Sequence, residues 1–427
     1  MCSVNEDEVQ EVISSPPPLK ACFDQYFTHR FRSTFGKSRL IRQGEEVVLL
    51  AFSGGQSSRV LLHLVQEGLS EHAVKRLRFT PIIIYIDVVR TTEPYFYLSL
   101  ACADIFFIYI TSNDNEYDII ENISIPEGVV YGYASERQKS LLKEVSGIIA
   151  QTQFPGYFTK LEEVFTGARV WPISDAVLSA GSEQRSKLAA PDPTSSISQG
   201  EMPGEVKLKQ LFDSLKSSTA KEDMLQSLRR QLLVDIAAKY FNTGKILVGD
   251  NATRLSVRLL GNIAQGRGGT IPLDTGFCDN RSDVMVLRPL REFPDSEIAS
   301  YLTLHQLQSV DASSDHSLPG SSGHSIEGLT ASFVHSLQSN FSSTVSTIFR
   351  TSDKLQLSED LVHSGQCCPL CQAPCEESFN EEVFSHVSTS GNNKLLCYGC
   401  RLTARGTVHE NILELLLKDD SGGSNEL

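Results

Sequence analysis

Val47-Val-Leu-Leu-Ala-Phe-Ser53-Gly54-Gly55-Gln56-Ser57-Ser58 decides the fold. Its unbroken apolar run reads as a parallel strand covered on both faces, which has no reason to alternate with polar residues. The run breaks at Ser53-Gly54-Gly55, and Val60, Leu61, Leu64, Val65 and Leu69 then follow at helical spacing. Glycines let the chain turn tightly, and amides at the start of a helix face any anion placed there. Ser53, Ser57 and Ser58 add hydroxyl donors, so a phosphate or pyrophosphate suits the turn. A plain strand-to-helix turn with Ser57 or Ser58 as N-cap explains the same residues.

Strand and helix patterns continue outward. Pro81–Asp87, Lys245–Gly249 and Val284–Leu287 read as further buried strands. Glu136–Thr152, Lys221–Phe241, Pro294–Leu307 and Ser332–Arg350 read as helices, and Val164–Val170 as a short strand or turn. Buried strands alternating with helices predict an α/β fold with a parallel sheet. Residues 1–21 read as a disordered leader, 22–310 as the α/β domain, and 332–427 as a helix followed by a small metal module. Ser, Pro and Gly mark 181–206 as a linker loop and 311–331 as a second linker, while 88–125 is an atypical, aromatic-rich insertion.

The 427 residues carry 38 Lys+Arg against 52 Asp+Glu, a net charge of −14, which excludes a protein that coats nucleic acid without specificity. A local basic patch is still compatible with that balance. Residues 30–42 hold Arg30, Arg32, Lys37, Arg39 and Arg42 and no acid, and Arg254, Arg258 and Arg267 belong to a second basic stretch. Either run serves as a solvated face or as a phosphate footprint.

Six of the ten cysteines fall between Cys367 and Cys400. The N-terminal residues are acidic and carry no signal-peptide pattern, and the most apolar stretch, Tyr95–Ile110, is short for a membrane span. A reducing, cytoplasmic setting without membrane attachment is expected, and it turns clustered cysteines into metal ligands. Cys368-Pro-Leu-Cys371 and Cys397-Tyr-Gly-Cys400 are two C-x-x-C turns, each able to aim two thiolates at one Zn²⁺ ion. Cys367 and Cys375 are alternates for that set, and a redox pair is the competing reading.

The glycine turn resembles the Ser-Gly-Gly-x-Asp-Ser pyrophosphate loop of the ATP-pyrophosphatase fold found in tRNA sulfurtransferases. Gly249-Asp250-Asn251-Ala252-Thr253-Arg254 stands where those enzymes have Gly-His-Asn-x-Asp-Asp at a strand end. Gly266-Arg267-Gly268, Leu287-Arg288-Pro289-Leu290 and the lead-in Phe31–Leu40 extend the likeness. With the cysteine-rich tail, the chain is identified as a member of the cytoplasmic tRNA 2-thiolation protein 2 family.

The resemblance implies an adenine-nucleotide alpha-hydrolase-like sheet with a C-terminal zinc ribbon. It also implies a heterodimer with cytoplasmic tRNA 2-thiolation protein 1, with tRNA and a thiocarboxylated ubiquitin-related modifier as further partners. Wobble uridine 34 would be the target. ATP is a candidate ligand at Ser53, Gly54, Gly55, Ser57 and Ser58, and Arg30, Arg32, Lys37, Arg39, Arg254, Arg258 and Arg267 would contact tRNA. Two departures point to a subunit with no catalytic residues of its own: Ser57 replaces the loop aspartate, and Thr253 and Arg254 replace the aspartate pair. Mg²⁺ needs such oxygen ligands to neutralise phosphates. The alternatives are a self-sufficient ATP-dependent adenylating sulfurtransferase and a zinc-ribbon scaffold. Of the N-terminal C-x-x-C module that the resemblance implies for active relatives, this sequence shows Cys22-Phe23 alone: either the module is lost, or the chain is a variant form with an altered N-terminus and the extra piece at 88–125.

Overall fold

The computed structural model describes residues 17–41, 46–73, 76–87, 140–165, 167–173, 204–310, 325–359, 366–375 and 396–405. The expected insertion at 88–125, Cys102, Arg42 and most of the expected leader and linkers lie outside the described residues.

Seven strands form one sheet: β1 (Val47–Ala51), β2 (Thr80–Asp87), β3 (Gly156–Lys160), β4 (Trp171–Pro172), β5 (Lys245–Leu247), β6 (Cys278–Asp279) and β7 (Met285–Leu287). Their order is β4-β3-β2-β1-β5-β7-β6, with the inner pairs parallel and only the edges, β4 on β3 and β6 on β7, antiparallel. The α/β parallel architecture expected from the sequence is therefore the one observed. The chain moves outward from β1 to β3 on one side and from β5 to β7 on the other. The crevice between the carboxyl ends of β1 and β5 is thus the topological switch point, where open α/β sheets bind ligands.

Alternate strand residues feed two cores. Leu49, Ile84, Ile246 and Val286 face one, and Val48, Leu50, Ile83 and Leu287 face the other. Helix α1 (Pro17–Ser38) lays Phe23, Phe27, Phe31 and Phe35 into the second core, one residue per turn. Phe27 packs 4.2 Å from the Phe293 ring and 4.4 Å from Tyr301. That aromatic stripe buries the helix, so α1 starts at Pro17, within what reads in sequence as a leader. Its polar side also binds: Arg30 pairs with Glu292 at 3.4 Å and with Glu297 at 3.3 Å.

Other elements also differ from the sequence reading. Strand β3 has no counterpart in it, because Gly156-Tyr-Phe-Thr-Lys160 is short and follows a proline. Residues 164 and 165 end a 3-10 turn, and 167–170 precede β4. Three residues of the expected linker loop belong to a helix, Gly204–Ser214. The helix expected over Ser332–Arg350 is two helices, Ile326–Asn340 and Thr344–Ser352. The first starts early because the Ser325 side chain accepts from the Gly328 N–H at 2.9 Å, and it stops at Phe341, whose backbone is extended.

Glu297 is buried beside Arg30, and burial outweighs the arginine, so its carboxyl is pushed up to about 6. A carboxyl raised in the folded state binds more protons there than in the unfolded chain, so its contribution to stability falls as pH rises from about 4.5 to about 6. Glu297→Gln should remove that loss. The stability difference between variant and parent, followed by denaturant titration, should move in the variant's favour by about 2 kcal/mol across this window.

Candidate functional site

The glycine turn leaves β1 and enters helix α2 (Gln56–Leu69), with Gly55 as N-cap and no side-chain cap bond. Ser57 and Ser58 therefore sit inside the first turn, and the plain serine-capped turn is not formed. The Gln56, Ser57 and Ser58 amides lie where a helix has no acceptors of its own. Gly54 has φ +88°, a left-handed conformation that favours glycine, and its carbonyl accepts from the Val310 N–H at 3.0 Å. The Ser58 hydroxyl donates to the Gly55 carbonyl at 2.9 Å, and Ser53 reaches Ser58 at 3.2 Å. Across the switch point, the turn after β5 presses on this helix start: a Cβ on Gly249 would lie 2.9 Å from the Ser58 amide nitrogen.

The positions that carry carboxylates in the resembled enzymes form a hydrogen-bonded web. Asn251 caps helix α6, whose range is Ala252–Ala264, by accepting from the Arg254 N–H at 2.9 Å. Its amide donates to the Ser57 hydroxyl at 2.8 Å and to the Asp295 carboxylate. The Thr253 hydroxyl accepts from the Asp295 N–H at 3.1 Å. Asp250 faces three guanidinium groups: Arg258 at 2.8 Å, Arg288 at 3.4 Å and Arg254 at 3.6 Å. Burial opposes its charge, but Arg258, Arg254 and Arg288 outweigh burial and hold the carboxyl well below the usual range.

The charge pairing continues deeper. Arg288 lies 3.7 Å from Asp279, which also pairs with Arg281 at 2.8 Å and Arg230 at 3.3 Å. Arg281 pairs with Asp274 as well. Arg230 then donates to the side chain of Gln372, the residue after the first cysteine turn, at 2.8 Å. One cavity of about 1080 Å³ consequently runs from Ser57, Asn251 and Arg254 past Arg230 to Cys371 and Tyr398.

Cys368, Cys371, Cys397 and Cys400 bring their sulfurs within 4.8 Å of one another. Cys371 Sγ lies 3.7 Å from Cys397 Sγ. Tetrahedral bonds of about 2.3 Å to one ion place sulfurs roughly 3.8 Å apart, so the four thiols suit a single tetrahedral metal. Cys367 is exposed, and the Cys375 thiol donates to the Ala373 carbonyl at 3.3 Å. Hydrogen bonds from Cys371, Cys375, Cys397 and Cys400 pull the Cys368 thiol down, while the same crowding pushes Cys371 and Cys400 up. A cation at the centre lets all four ionise together.

The expected phosphate contacts divide into two groups. Arg30, Arg258 and Arg267 are committed to carboxylates, Arg267 to Asp223 at 2.7 Å, and Arg254 reaches Asp250 from a half-buried position. Arg32, Lys37 and Arg39 make no ion pair among the described residues, and Lys37 and Arg39 are exposed. Spacing in the sequence does not separate these groups, since the acids lie up to 267 residues away. The acid web around Arg281 and Asp274 likewise has no sequence signature.

A family model described as cytoplasmic tRNA 2-thiolation protein 2 matches residues 325–386. Cytoplasmic tRNA 2-thiolation protein 2-A of Xenopus laevis is 35% identical over 406 residues, covering 84% of this chain and 69% of that protein. The chain belongs to the cytoplasmic tRNA 2-thiolation protein 2 family. The Xenopus tropicalis member is 35% identical over 414 residues, covering 86% and 71% of the two chains, and the human member 32% over 416, covering 83% and 72%. The resemblance read from the glycine turn and the cysteine tail is thereby borne out, and tRNA 2-thiolation is the setting of this family member. Its relatives are named as cytoplasmic, in keeping with the expected compartment. Among the described residues no helix is long and apolar enough to cross a membrane. The U34-tRNA thiolase NcsA from Methanococcus maripaludis, solved with its 4Fe-4S cluster, aligns over 87% of this chain and 92% of its own, at 12% identity and a TM-score of 0.47.

Two outcomes test the site. Gly249→Ala drives a methyl into the backbone of Ser57 and Ser58, so it should cost about 1–3 kcal/mol in denaturant titration, a typical overpacking penalty. Cys400→Ser should lower the bound metal per chain to near zero by elemental analysis, whereas Cys367→Ser should leave it unchanged.

Proposed function

We propose that this chain is the non-catalytic subunit of the cytosolic complex that 2-thiolates uridine 34 in tRNA(Lys), tRNA(Glu) and tRNA(Gln). Its partner is cytoplasmic tRNA 2-thiolation protein 1, which adenylates the uridine C2 oxygen and takes sulfur from the thiocarboxylated ubiquitin-related modifier. The observation that carries this reading is the state of the acids in the cavity. Asp223, Asp250, Asp274 and Asp279 are each paired with arginine, while Asp295 accepts from Asn251 and Glu327 from Gln226. Ser57, Thr253 and Arg254 supply no carboxylate in their place. A Mg²⁺ clamp for ATP needs carboxylates at those positions, beside the glycine turn.

The glycine turn itself keeps its shape. ATP, or another phosphate group, would meet Ser53, Gly54, Gly55, Ser57 and Ser58 without a metal clamp. Binding without turnover follows. Zn²⁺ fits the four thiols: a closed four-thiolate site is structural, with no open position for substrate. It ties two knuckles 25 residues apart in sequence to the floor of the cavity. Exposed Lys37 and Arg39, with Arg32 on the same helix, are the cations of the set that remain available to phosphate. Such contacts position RNA without reading its sequence.

Purified alone, the chain should release no pyrophosphate when given ATP and tRNA, and the complex with its partner should release it. Release by the single chain at the rate of the complex would overturn the proposal. Arg32→Glu, Lys37→Glu and Arg39→Glu together should weaken tRNA retention by the complex. They should also flatten its salt dependence by about three phosphate contacts.

A further inference from the structure

Arg267 reads in sequence as a phosphate ligand, but the structure puts it somewhere else. It follows α6 and is packed against the second cysteine turn. A Cβ on Gly399 would come within 2.2 Å of its Nε and 2.6 Å of its Cγ. The interlock is reciprocal, since a Cβ on Gly266 would lie 2.7 Å from the Tyr398 ring. Two glycines, one in each segment, thus let the guanidinium lie directly on the backbone between Cys397 and Cys400.

Asp223 fixes the orientation. Its carboxylate accepts from Arg267 Nη1 at 3.0 Å and pairs with Nη2 at 2.7 Å. Thr403, on the helix that leaves Cys400 (α11, Tyr398–Ala404), accepts from Nη2 at 3.1 Å and donates to Asp223 at 2.8 Å. The remaining donor, Nε, is buried and has no hydrogen-bond partner. A buried donor without an acceptor costs about 1–3 kcal/mol, so its retention calls for a reason. What lies beside it is the backbone of Gly399, between Cys397 and Cys400; burial opposes the charge of the guanidinium, Asp223 favours it most, and Cys400 and Cys397 add to that when ionised. Four thiolates bring more negative charge than a divalent ion cancels, and a fixed cation at van der Waals distance from the turn offsets the excess.

We infer that Arg267 is the positioning and charge-compensating residue of the four-cysteine metal centre, held in place by Asp223 and Thr403, rather than a tRNA ligand. The inference rests on reading Cys368, Cys371, Cys397 and Cys400 as a metal site. Reaching a phosphate would require this arginine to abandon Asp223, and its side chain is only 16% exposed.

The test uses the full chain loaded with Zn²⁺, with Co²⁺ as spectroscopic probe. Arg267→Met combined with Asp223→Asn removes the cation without leaving a buried carboxylate unpaired. Asp223→Asn alone keeps the cation. Metal release to a chromogenic chelator should be about 10–100-fold faster in the double variant than in the parent, the usual cost of losing an outer-shell partner. Release from Asp223→Asn should stay within a few-fold of the parent, and the sulfur-to-cobalt charge-transfer band should shift only in the double variant. Equal release from parent and double variant, both folded by circular dichroism, overturns the inference while leaving the metal site standing. Equal acceleration in both variants also overturns it, since Arg267 would then be a simple anchor for the tail. A parent chain that binds neither metal overturns the inference and the metal reading together.

Discussion

Asp250 stands at the carboxyl end of β5, beside the glycine turn of β1, with the guanidinium groups of Arg254, Arg258 and Arg288 around its carboxylate. A lone carboxylate in such a crevice would pay a desolvation cost of several kcal/mol, and a lone arginine would do the same. The charges are therefore useful only together. Arg258 projects from α6, Arg288 follows β7, and Asp250 lies in the turn after β5, so satisfying one carboxylate sets the relative placement of three elements. Arg288 extends the constraint to Asp279, which engages Arg281 and Arg230. Breaking a buried network of this kind by removing one member typically leaves an uncompensated charge worth about 3–5 kcal/mol.

The same network explains why the cysteine tail belongs to the site rather than hanging beside it. Arg230 links Asp279 to Gln372, directly after the first C-x-x-C turn, and Arg267 links Asp223 to the second. Both arginines thus tie the α/β domain to a knuckle. Cys368, Leu370, Cys375 and Cys400 enter the main core beside these polar links. A closed metal site at this junction would set one wall of the cavity that begins at the glycine turn.

Much of the fold was legible because its signals are local. The apolar run Val47–Phe52 with its glycine break, the β5 and β7 runs, and the two C-x-x-C turns all state their chemistry within a dozen residues. Strand β3 was not legible, since Tyr157 and Phe158 become strand residues through parallel pairing with β2 and antiparallel pairing with β4. The Phe23, Phe27, Phe31 and Phe35 stripe was available in the sequence at helical spacing and would have placed the start of α1. The break at Phe341 was also available in the sequence, since Asn340, Ser342 and Ser343 favour caps and turns over helix interiors.

The residue types of the candidate site were written in the chain: Ser57 in place of an acid, Thr253 and Arg254 in place of a pair of acids, four cysteines in two tight turns. Those substitutions depend on covalent chemistry alone, and no folding is needed to see that a hydroxyl is not a carboxylate. Which arginines are free was decided only by the tertiary structure. Arg30 and Arg267 look like Arg32 and Arg39 in a linear reading, yet their partners Glu297 and Asp223 lie far away in sequence. Electrostatic pairing acts through a few ångströms of space and carries no trace in local spacing. The nearness of the glycine turn to the metal knuckle has the same origin: strand order, not sequence, puts Ser57 and Cys371 on one cavity.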